Sequence, residues 1–305
     1  MGVKTIKQNK LIWHHIDKLD DQSLDLLKDE YKFHPLDIKD VKGEKEESKV
    51  DVYSKYVFVV LHFPVIIRGQ ARAEVMELGI FLGKDYLITV QKGTYKPLRD
   101  LYYKLQNSAK YRKSCFNRDP GYLFYRILEI LYSNNKNITS YVLSRLQGLE
   151  DEVYSDEIDE NTAKRIAYLR QKILSLKRIL DPQVEVMGQL SQLKTNFLAS
   201  ELNVYFDDID DKVDKITNFL DNQKYVLKDL LEVHDSLVTH KTNKVIKILT
   251  LFSVALLPLT LLSGIYGMNI NLPFSGSSLN VWFMFIVLFA LVVGVILYMK
   301  KKKLI

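Results

Sequence analysis

The sequence predicts a membrane protein in which an α/β cytosolic domain with long helices is followed by a two-helix transmembrane hairpin. Three observations support this fold class. Strand-like and helical segments alternate up to about residue 120, helical periodicity continues alone up to about residue 240, and two apolar runs follow. The order of these parts predicts that most of the protein stays on one side of the membrane.

Residues 1–120 have the pattern of a mixed α/β domain. The pattern predicts helices at residues 23–31 and 97–106. It predicts strands at four segments rich in β-branched and aromatic residues: 11–16, 56–67, 76–82 and 86–91. We expect the strands to form one sheet with the helices packed on it. The region also contains four histidines for which a structural role is the preferred interpretation, because none has a partner at the spacing of a metal site: His14, His15, His34 and His62.

Residues 121–204 form the second predicted region, which is helical. Apolar residues recur at three- and four-residue spacing from Leu123 to Leu131 and from Ile166 to Leu180. Between these helices lies an acidic run that is either a solvated helix tip or a reservoir of carboxylates that attracts cations: Glu150, Asp151, Glu152, Asp156, Glu157, Asp159 and Glu160. The dipeptide Asp181-Pro182 predicts the end of a helix, since the residue before proline avoids helical angles.

Residues 205–244 predict a stalk helix that continues into the first apolar run. The pattern starts at Tyr205 and contains neither proline nor glycine up to Leu257. Acidic residues near its start favour a helix N-terminus electrostatically. From its rise per residue this helix is about 80 Å long, so it is able to carry a signal between its two ends.

Two apolar runs predict membrane spans, transmembrane 1 at residues 245–266 and transmembrane 2 at residues 281–299. The first contains a single charge, at Lys247, and is about 33 Å long as a helix, which is enough to cross a bilayer. The connector at residues 267–280 has no charge, whereas the tail at residues 300–305 carries four lysines: Lys300, Lys301, Lys302 and Lys303. The positive-inside rule therefore predicts a multi-pass protein of the cell membrane, with both termini in the cytoplasm and the connector outside.

One face of the first span differs from a plain lipid anchor. Six residues at three- and four-residue spacing share this face, and half of them are small or carry a hydroxyl: Ile246, Leu249, Ser253, Leu257, Thr260 and Gly264. Such a face favours protein or water over lipid, so we expect it to line a pore in an assembly of several copies. The span ends in Tyr266, Gly267, Met268 and Asn269, where Gly267 can adopt backbone angles closed to other residues and Asn269 offers an amide oxygen to a cation.

The tetrapeptide Tyr266-Gly267-Met268-Asn269, at the outer end of the first of two spans, resembles the Gly-Met-Asn (GMN) signature of the CorA family of divalent metal-ion transporters. The order of soluble domain, spans, outer loop and basic tail is similar to that family over the whole chain. The resemblance implies a homopentamer shaped as a CorA-like funnel, with the GMN loop at the pore mouth. It also implies a channel for magnesium or cobalt that the membrane potential drives and intracellular divalent ions close.

A second resemblance concerns the start of the stalk helix. The segment Tyr205-Phe206-Asp207-Asp208 is similar to the family's Tyr-Phe-x-Asp pattern, whose aspartate helps to form a regulatory metal site between subunits. The resemblance puts Asp208 at that position, and Asp211 follows one turn later. Mg²⁺ is then expected both as the transported and as the regulatory ion, with Glu74 and Glu77 as candidate partner acids.

The outer loop leaves the identity of the ion open. Residues 270–280 contain no carboxylate, whereas the corresponding loop in the family's best-known magnesium branch is acidic. Magnesium is the preferred interpretation. The alternatives are transport of Co²⁺, Ni²⁺ or Zn²⁺ within the same superfamily, or a metal sensor that the hairpin merely anchors. The basic tail is interpreted mainly as a lipid anchor and otherwise as a screen at the cytoplasmic pore exit.

Other functional classes find little support in the sequence. No set of acid, base and nucleophile can be proposed, so we do not expect an enzyme. The formal net charge of +6 does not indicate nucleic-acid binding, because the basic and aromatic stretch at residues 110–113 is short and isolated. The single cysteine, Cys115, excludes an intrachain disulfide and a site with several thiolates. The expected partners are other copies of the chain, the lipid bilayer and divalent cations.

Overall fold

The computed structural model describes residues 2–43, 47–67, 69–93, 95–133, 136–155, 161–195, 202–268 and 278–302. The chain divides into two compact units, Met1–Leu231 and Glu232–Ile305. The first unit contains one sheet with helices packed on both of its faces. The second unit is helical and rich in apolar residues. The predicted combination of an α/β domain with long helices is therefore confirmed.

The strands of the sheet have these bounds: β1 Val3–Gln8, β2 Leu11–Ile16, β3 Lys49–Val52, β4 Tyr56–Val65, β5 Glu74–Gly83 and β6 Tyr86–Lys92. Their order across the sheet is β1-β2-β6-β5-β4-β3. Neighbouring strands are antiparallel except β2 and β6, which run parallel with Ile16 opposite Val90. The prediction for residues 11–16 is confirmed, and the other three predicted strands agree with β4, β5 and β6 to within about two residues. β1 and β3 were not predicted.

The helices have these bounds: α1 Asp21–Asp25, α2 Pro35–Lys42, α3 Lys96–Asn107, α4 Ala109–Cys115, α5 Pro120–Ser133, α6 Lys136–Val153, α7 Thr162–Ser191, α8 Leu202–Tyr266 and α9 Ser278–Lys301. The predicted helix at residues 97–106 is confirmed as α3. The predicted helix at residues 23–31 is divided instead, because α1 passes into a π-helical segment at Leu26–Glu30. A capping box between Asp20 and Ser23 fixes the start of α1.

The sheet lies between two cores, which explains why β4 is almost continuously apolar. Alternate residues of β4 point to opposite faces, so Val59 and Leu61 enter the larger core while Phe58 enters the smaller one. The larger core joins the sheet to α3, α5, the end of α7 and the start of α8. The smaller core packs α2 and the segment around Phe33 on the other face.

The prediction that a helix ends at Asp181-Pro182 is wrong, because α7 continues through Pro182 to Ser191. Hydrogen bonds of the next residue, Gln183, explain why the helix continues. The buried Gln183 donates a hydrogen bond to the carbonyl of Ile179 at 2.8 Å and another to the carbonyl of His62 on β4. Tyr132 of α5 donates to the other end of the same amide. These bonds hold the helix against the sheet and offset the amide hydrogen that proline lacks.

Helix α8 is continuous over 65 residues and includes Pro258. The predicted uninterrupted helix thus begins three residues earlier than Tyr205 and runs past Leu257 into the first apolar run. By length and composition α8 is able to cross a membrane, and 6% of its most apolar window is buried. A shorter apolar helical stretch covers Phe285–Met299 within α9. Both apolar segments therefore present wide hydrocarbon surfaces, of a kind that soluble single chains rarely expose.

Candidate functional site

The start of α8 carries the two acids that the sequence singles out as a regulatory metal site. Phe206 and Ile209 are buried in the larger core, so the helix turns its other face outward. The side chains on that outer face include Asp208, which is 51% exposed, and Asp211, which is 76% exposed. The same packing that fixes this part of the helix thus leaves both carboxylates accessible to ions.

Each of these acids has a lysine one turn later as its counter-charge. Lys212 Nζ lies 2.5 Å from Asp208 Oδ2, and Lys215 Nζ lies 3.9 Å from Asp211 Oδ2. Pairs of this kind on an exposed helix face are weak, because water screens them and both side chains lose freedom. The counter-charge of both acids is therefore only loosely held.

A third acid of the segment, Asp210, was not singled out by the sequence. Its Oδ1 atom is buried and has no hydrogen-bond partner among the described residues. Burial raises the pKa of Asp210, and the neighbouring charges of Asp214, Asp207 and Asp211 raise it further. Like charges thus crowd the start of α8. The spacing of Asp207, Asp210, Asp211 and Asp214 along one helix was the available signal for this crowding.

Aromatic contacts anchor the same segment to α5. The Tyr205 ring lies 4.8 Å from the Tyr125 ring and 5.5 Å from the Tyr122 ring, measured between centroids. Arg118 donates a hydrogen bond to the Tyr205 hydroxyl at 2.7 Å. Burial raises the pKa of Tyr125 to about 12, with smaller contributions from the charges of Glu129 and Asp208. Tyr125 is therefore neutral at physiological pH and acts as a packing surface.

A second acidic group lies at the edge of the sheet, where Asp37 and Asp40 of α2 meet Asp51 of β3. One carboxylate oxygen from each of the three lies within 4.8 Å of the others, a spacing that is able to hold a metal ion. Lys49 already supplies a cation there, with Nζ 2.6 Å from Asp40 and 3.0 Å from Asp51. Asp37 and Asp40 are three residues apart on one helix, but the approach of Asp51 was not visible in the sequence.

Tyrosines complete this group. The Tyr53 and Tyr56 hydroxyls donate hydrogen bonds to the Asp37 carboxylate at 2.8 Å and 2.7 Å. Burial nevertheless raises the pKa of Asp37. Burial lowers the pKa of Lys49, but its hydrogen bonds to Asp40 and Asp51 outweigh this effect and the net shift is upward. One lysine thus offsets part of the charge of the three carboxylates, and two hydroxyl donors stabilise Asp37 by hydrogen bonds.

The six residues of the predicted pore-lining face are all exposed in the single chain. Their shared face has apolar positions, such as Leu257 at 67% exposure, between the two hydroxyl residues. The hydroxyls of Ser253 and Thr260 donate to carbonyls of their own helix, at 3.0 Å to Leu249 and 2.8 Å to Leu256. Because this back-bonding uses the hydroxyl proton, each oxygen remains available only as an acceptor.

The predicted pore mouth is described up to Met268, which is 52% exposed. Gly267 and Met268 close the end of α8 through backbone bonds to Ser263 and Ile265. Gly267 does not have the positive φ that would require glycine. A side chain there would instead approach the Ser263 carbonyl to 3.0 Å, which is tight. Asn269 lies outside the described residues, and only the backbone of Tyr266 is described.

The tail lysines fall at the end of α9. Lys301 and Lys302 are exposed, whereas the side chain of Lys300 is not described and Lys303 lies outside the described residues. Of the acidic run between α6 and α7, Asp156, Glu157, Asp159 and Glu160 also lie outside the described residues, and Glu152 pairs with Arg165 at 2.7 Å.

Residues 8–301 match the protein-family model described as CorA-like Mg²⁺ transporter protein. The chain belongs to this family. The cobalt/magnesium transport protein CorA of Thermotoga maritima is 25% identical over 272 residues, which cover 88% of this chain and 76% of that protein. The zinc transport protein ZntB of Pectobacterium atrosepticum is 23% identical over 186 residues, 61% of this chain and 56% of that protein.

Two solved full-length structures have a similar fold. The complete CorA magnesium transporter of Methanocaldococcus jannaschii matches with a TM-score of 0.78 at 20% identity, covering 96% of this chain and 91% of that one. Full-length CmaX matches with a TM-score of 0.76 at 18% identity, covering 96% and 88%. The predicted resemblance to the CorA family is confirmed by the match over residues 8–301. CorA-family relatives are transporters, which agrees with the expectation that this chain is not an enzyme.

The four histidines in the first unit of this CorA-family chain make hydrogen bonds within the fold. The hydrogen-bond partners are Thr5 and Tyr31 for His14, Thr89 for His15, Ser48 for His62, and the amide of Leu36 for His34, whose side chain caps α2. Burial lowers the pKa of His15 to about 4. The candidate partner acid Glu77 is similarly engaged, with Lys92 at 2.5 Å and His62 at 3.6 Å. Each of these groups thus has a partner among the described residues, and their structural role remains a prediction.

Proposed function

We propose that this protein is a divalent-cation transporter of the cell membrane, that its transported ion is magnesium, and that intracellular divalent ions close it. One observation carries the proposal: the single helix α8 contains both the exposed acids Asp208 and Asp211 and the apolar window long enough to cross a bilayer. The family match over residues 8–301 supports it.

The ion path in this proposal needs several copies of the chain. Two spans cannot enclose a polar path, so transmembrane 1 at residues 245–266 lines a central pore and transmembrane 2 at residues 281–299 covers it from lipid. The exposure of the whole lining face in the single chain is consistent with a homopentamer. Ile246, Leu249 and Leu257 form apolar constrictions that gate by dewetting. The Ser253 oxygen lies between Leu249 and Leu257, and the Thr260 oxygen lies between Leu257 and the pore mouth.

The mouth of the channel is the external GMN loop, residues 267–280. A ring of Asn269 amide oxygens suits magnesium, which prefers oxygen ligands and gives up its water reluctantly. A neutral ring binds the hydrated ion without holding it too strongly. Both termini are cytoplasmic, and the lysines of the tail, residues 300–305, hold anionic lipid headgroups.

The membrane potential is sufficient to drive uptake. A charge that crosses 100 mV gains about 2.3 kcal/mol, so a dication gains about 4.6 kcal/mol, or roughly three decades of concentration. No nucleotide is needed for this step. Uptake with such a driving force must be limited when internal magnesium is high. We assign this regulation to intracellular Mg²⁺ that bridges Asp208 of one subunit to acids of the next. Loss of the ion then releases like-charge repulsion and opens the pore.

Flux into liposomes that hold the purified protein tests this function. Under an inside-negative potential we expect magnesium entry that rises with voltage, disappears in Asn269→Ala and persists in the control Asn107→Ala, at an exposed asparagine that ends α3. Internal magnesium should stop the flux of the unmodified protein and fail to stop that of Asp208→Ala. Absence of flux under every gradient would favour a membrane-anchored metal sensor. If internal magnesium stopped the flux of Asp208→Ala normally, Asp208 would not be part of the regulatory site.

Zinc transport is the second candidate. The similarity to ZntB and the absence of any carboxylate from residues 270–280 favour it. In the same liposomes, zinc entry that follows a proton gradient instead of the voltage would support this candidate. Entry rates of magnesium, cobalt, nickel and zinc, measured at equal concentration, then rank the ions by transport.

A further inference from the structure

An ion pair joins the long helix α8 to its neighbour α7 within the first unit of the chain. Lys177 of α7 donates a hydrogen bond to Asp221 of α8, with 2.7 Å between Nζ and Oδ2. The lysine side chain is only 15% exposed, so water screens this pair less than it screens the pairs of Asp208 and Asp211. We therefore expect the contact to restrain α8 more firmly than an ordinary surface pair.

The buried face of this part of α8 is apolar. Val213, Leu220 and Leu227 are buried and recur every seven residues, the spacing of a helix that packs along another element through a continuous seam. Apolar contacts hold such a seam together, whereas charged pairs beside it fix the register of the helix. Asp221 directly follows Leu220, so its pair with Lys177 fixes the position of α8 along α7.

A second acidic partner of Lys177 makes the contact reversible. Asp181, one turn later on α7, lies 3.0 Å from the same Nζ atom. Burial lowers the pKa of Lys177, but its hydrogen bonds to Asp221 and Asp181 outweigh this effect and the net shift is upward. If α8 moved away, Lys177 would keep Asp181, and water would solvate Asp221, which is already 40% exposed. Separation thus avoids a stranded buried charge, the cost that makes most buried pairs hard to break.

We propose that Lys177 is a positioning residue for gating, which holds α8 through Asp221 in the position of the closed pore. The inference rests on the proposed function, in which loss of intracellular magnesium releases repulsion among the acids of α8 and opens the pore. The attraction of Lys177 for Asp221 opposes this displacement, because it keeps α8 on α7. Magnesium and Lys177 then favour the same state, so more magnesium is needed to reach that state when the lysine is absent.

Flux into liposomes at graded internal magnesium tests the inference, and the quantity measured is the magnesium concentration that halves the flux. We expect Lys177→Met to raise it about fivefold, the lower end of typical coupling between two sites of one protein. Asp221→Asn should raise it by the same factor. The two substitutions together should cause no further rise, because either one alone removes the pair. Lys164→Met, at an exposed lysine of α7, is the matched control and should leave the value unchanged.

A further variant separates positioning by charge from a role in packing. Lys177→Arg keeps the positive charge and should close at nearly the concentration of the unmodified protein. If the hydrocarbon chain of the lysine mattered instead, Lys177→Met would preserve normal closure better than Lys177→Arg does. An unchanged half-closing concentration in Lys177→Met, or a further rise when Asp221→Asn is added to it, would overturn the inference.

Amide hydrogen exchange of the full chain in detergent needs no flux, so it separates this inference from the proposed function. In magnesium-free buffer we expect residues 202–231 to exchange faster in Lys177→Met than in the unmodified protein, while β4 stays protected in both. Equal exchange of residues 202–231 would overturn the inference even if magnesium stopped the flux. Faster exchange in Lys177→Met, together with flux that magnesium does not stop in the unmodified protein, would support the restraint by Lys177 and contradict the proposed closure.

Discussion

Two groups of acidic side chains in this protein balance their charge in different ways. Asp37, Asp40 and Asp51 share Lys49 and two tyrosine hydroxyls within a partly buried pocket. Asp208 and Asp211 have lysines of their own helix as partners and lie largely in water. The first group depends on fixed protein contacts, whereas the second leaves room for an ion from solution. Two acidic clusters of one chain thus differ in how firmly their counter-charges are held.

Removal of the shared lysine should give the largest effect. Lys49→Met leaves Asp40 without its ion pair in a setting where Asp40 is mostly buried, and an uncompensated charge of this kind is costly. We expect a loss of about 2–3 kcal/mol, or roughly 5–10 °C in melting temperature. Thermal unfolding in detergent measures it, with the exposed Lys55→Met as the matched control. If the melting temperature fell equally in both variants, Lys49 would contribute no more to stability than an exposed surface lysine does.

A smaller effect concerns the pH dependence of the same pocket. The pKa of Asp37 is raised above its ordinary value of 3.8, so the folded protein binds the proton more tightly than the unfolded chain. Asp37 therefore favours folding most below that value, and the contribution is lost as pH rises from 3.8 through the folded pKa. We expect Asp37→Asn to gain stability relative to the unmodified protein across this window. Denaturant unfolding at several pH values measures the difference, and a constant difference would contradict the assignment.

The smallest effect is expected at the exposed acids. Lys212→Met frees Asp208 from a pair of a kind worth about 0.3–0.5 kcal/mol, so the magnesium concentration that halves the flux should fall by about twofold. Lys215→Met should change it less, because its pair with Asp211 is longer, at 3.9 Å. Liposome flux at graded internal magnesium gives both values. A larger effect in Lys215→Met would indicate that Asp211 is the principal ligand.

The parts of the fold that were predictable have a clear periodic signal. Strands β4, β5 and β6 are apolar on both faces because helices cover the sheet on each side. The edge strands β1 and β3 contain Lys4, Lys7, Lys49 and Asp51, so their strand signal was too weak to stand out. Pro182 suggested a helix end because the local rule is strong, but buried contacts of Gln183 overrode it.

The site was predictable only where it follows the chain. Asp208 and Asp211 share a helix, and their outward orientation follows from the apolar spacing of Phe206 and Ile209. The pocket around Lys49 and a cavity of about 220 Å³ lined by Lys4, Gln91 and Arg99 bring together segments that are distant in sequence. Nothing in the spacing of Asp37 and Asp51, or of Lys4 and Arg99, indicates that they meet.

The parallel pairing of β2 with β6 has a consequence for how the chain folds. The pair joins Ile16 to Val90, whereas β3 to β6 are linked through short antiparallel connections. Local hairpins form quickly, and closing the long loop between β2 and β6 is slower. We therefore expect β3–β6 to assemble first and the β1–β2 hairpin to dock last. The cavity beside Gln91, which Lys4 of β1 helps to line, is completed only at that step.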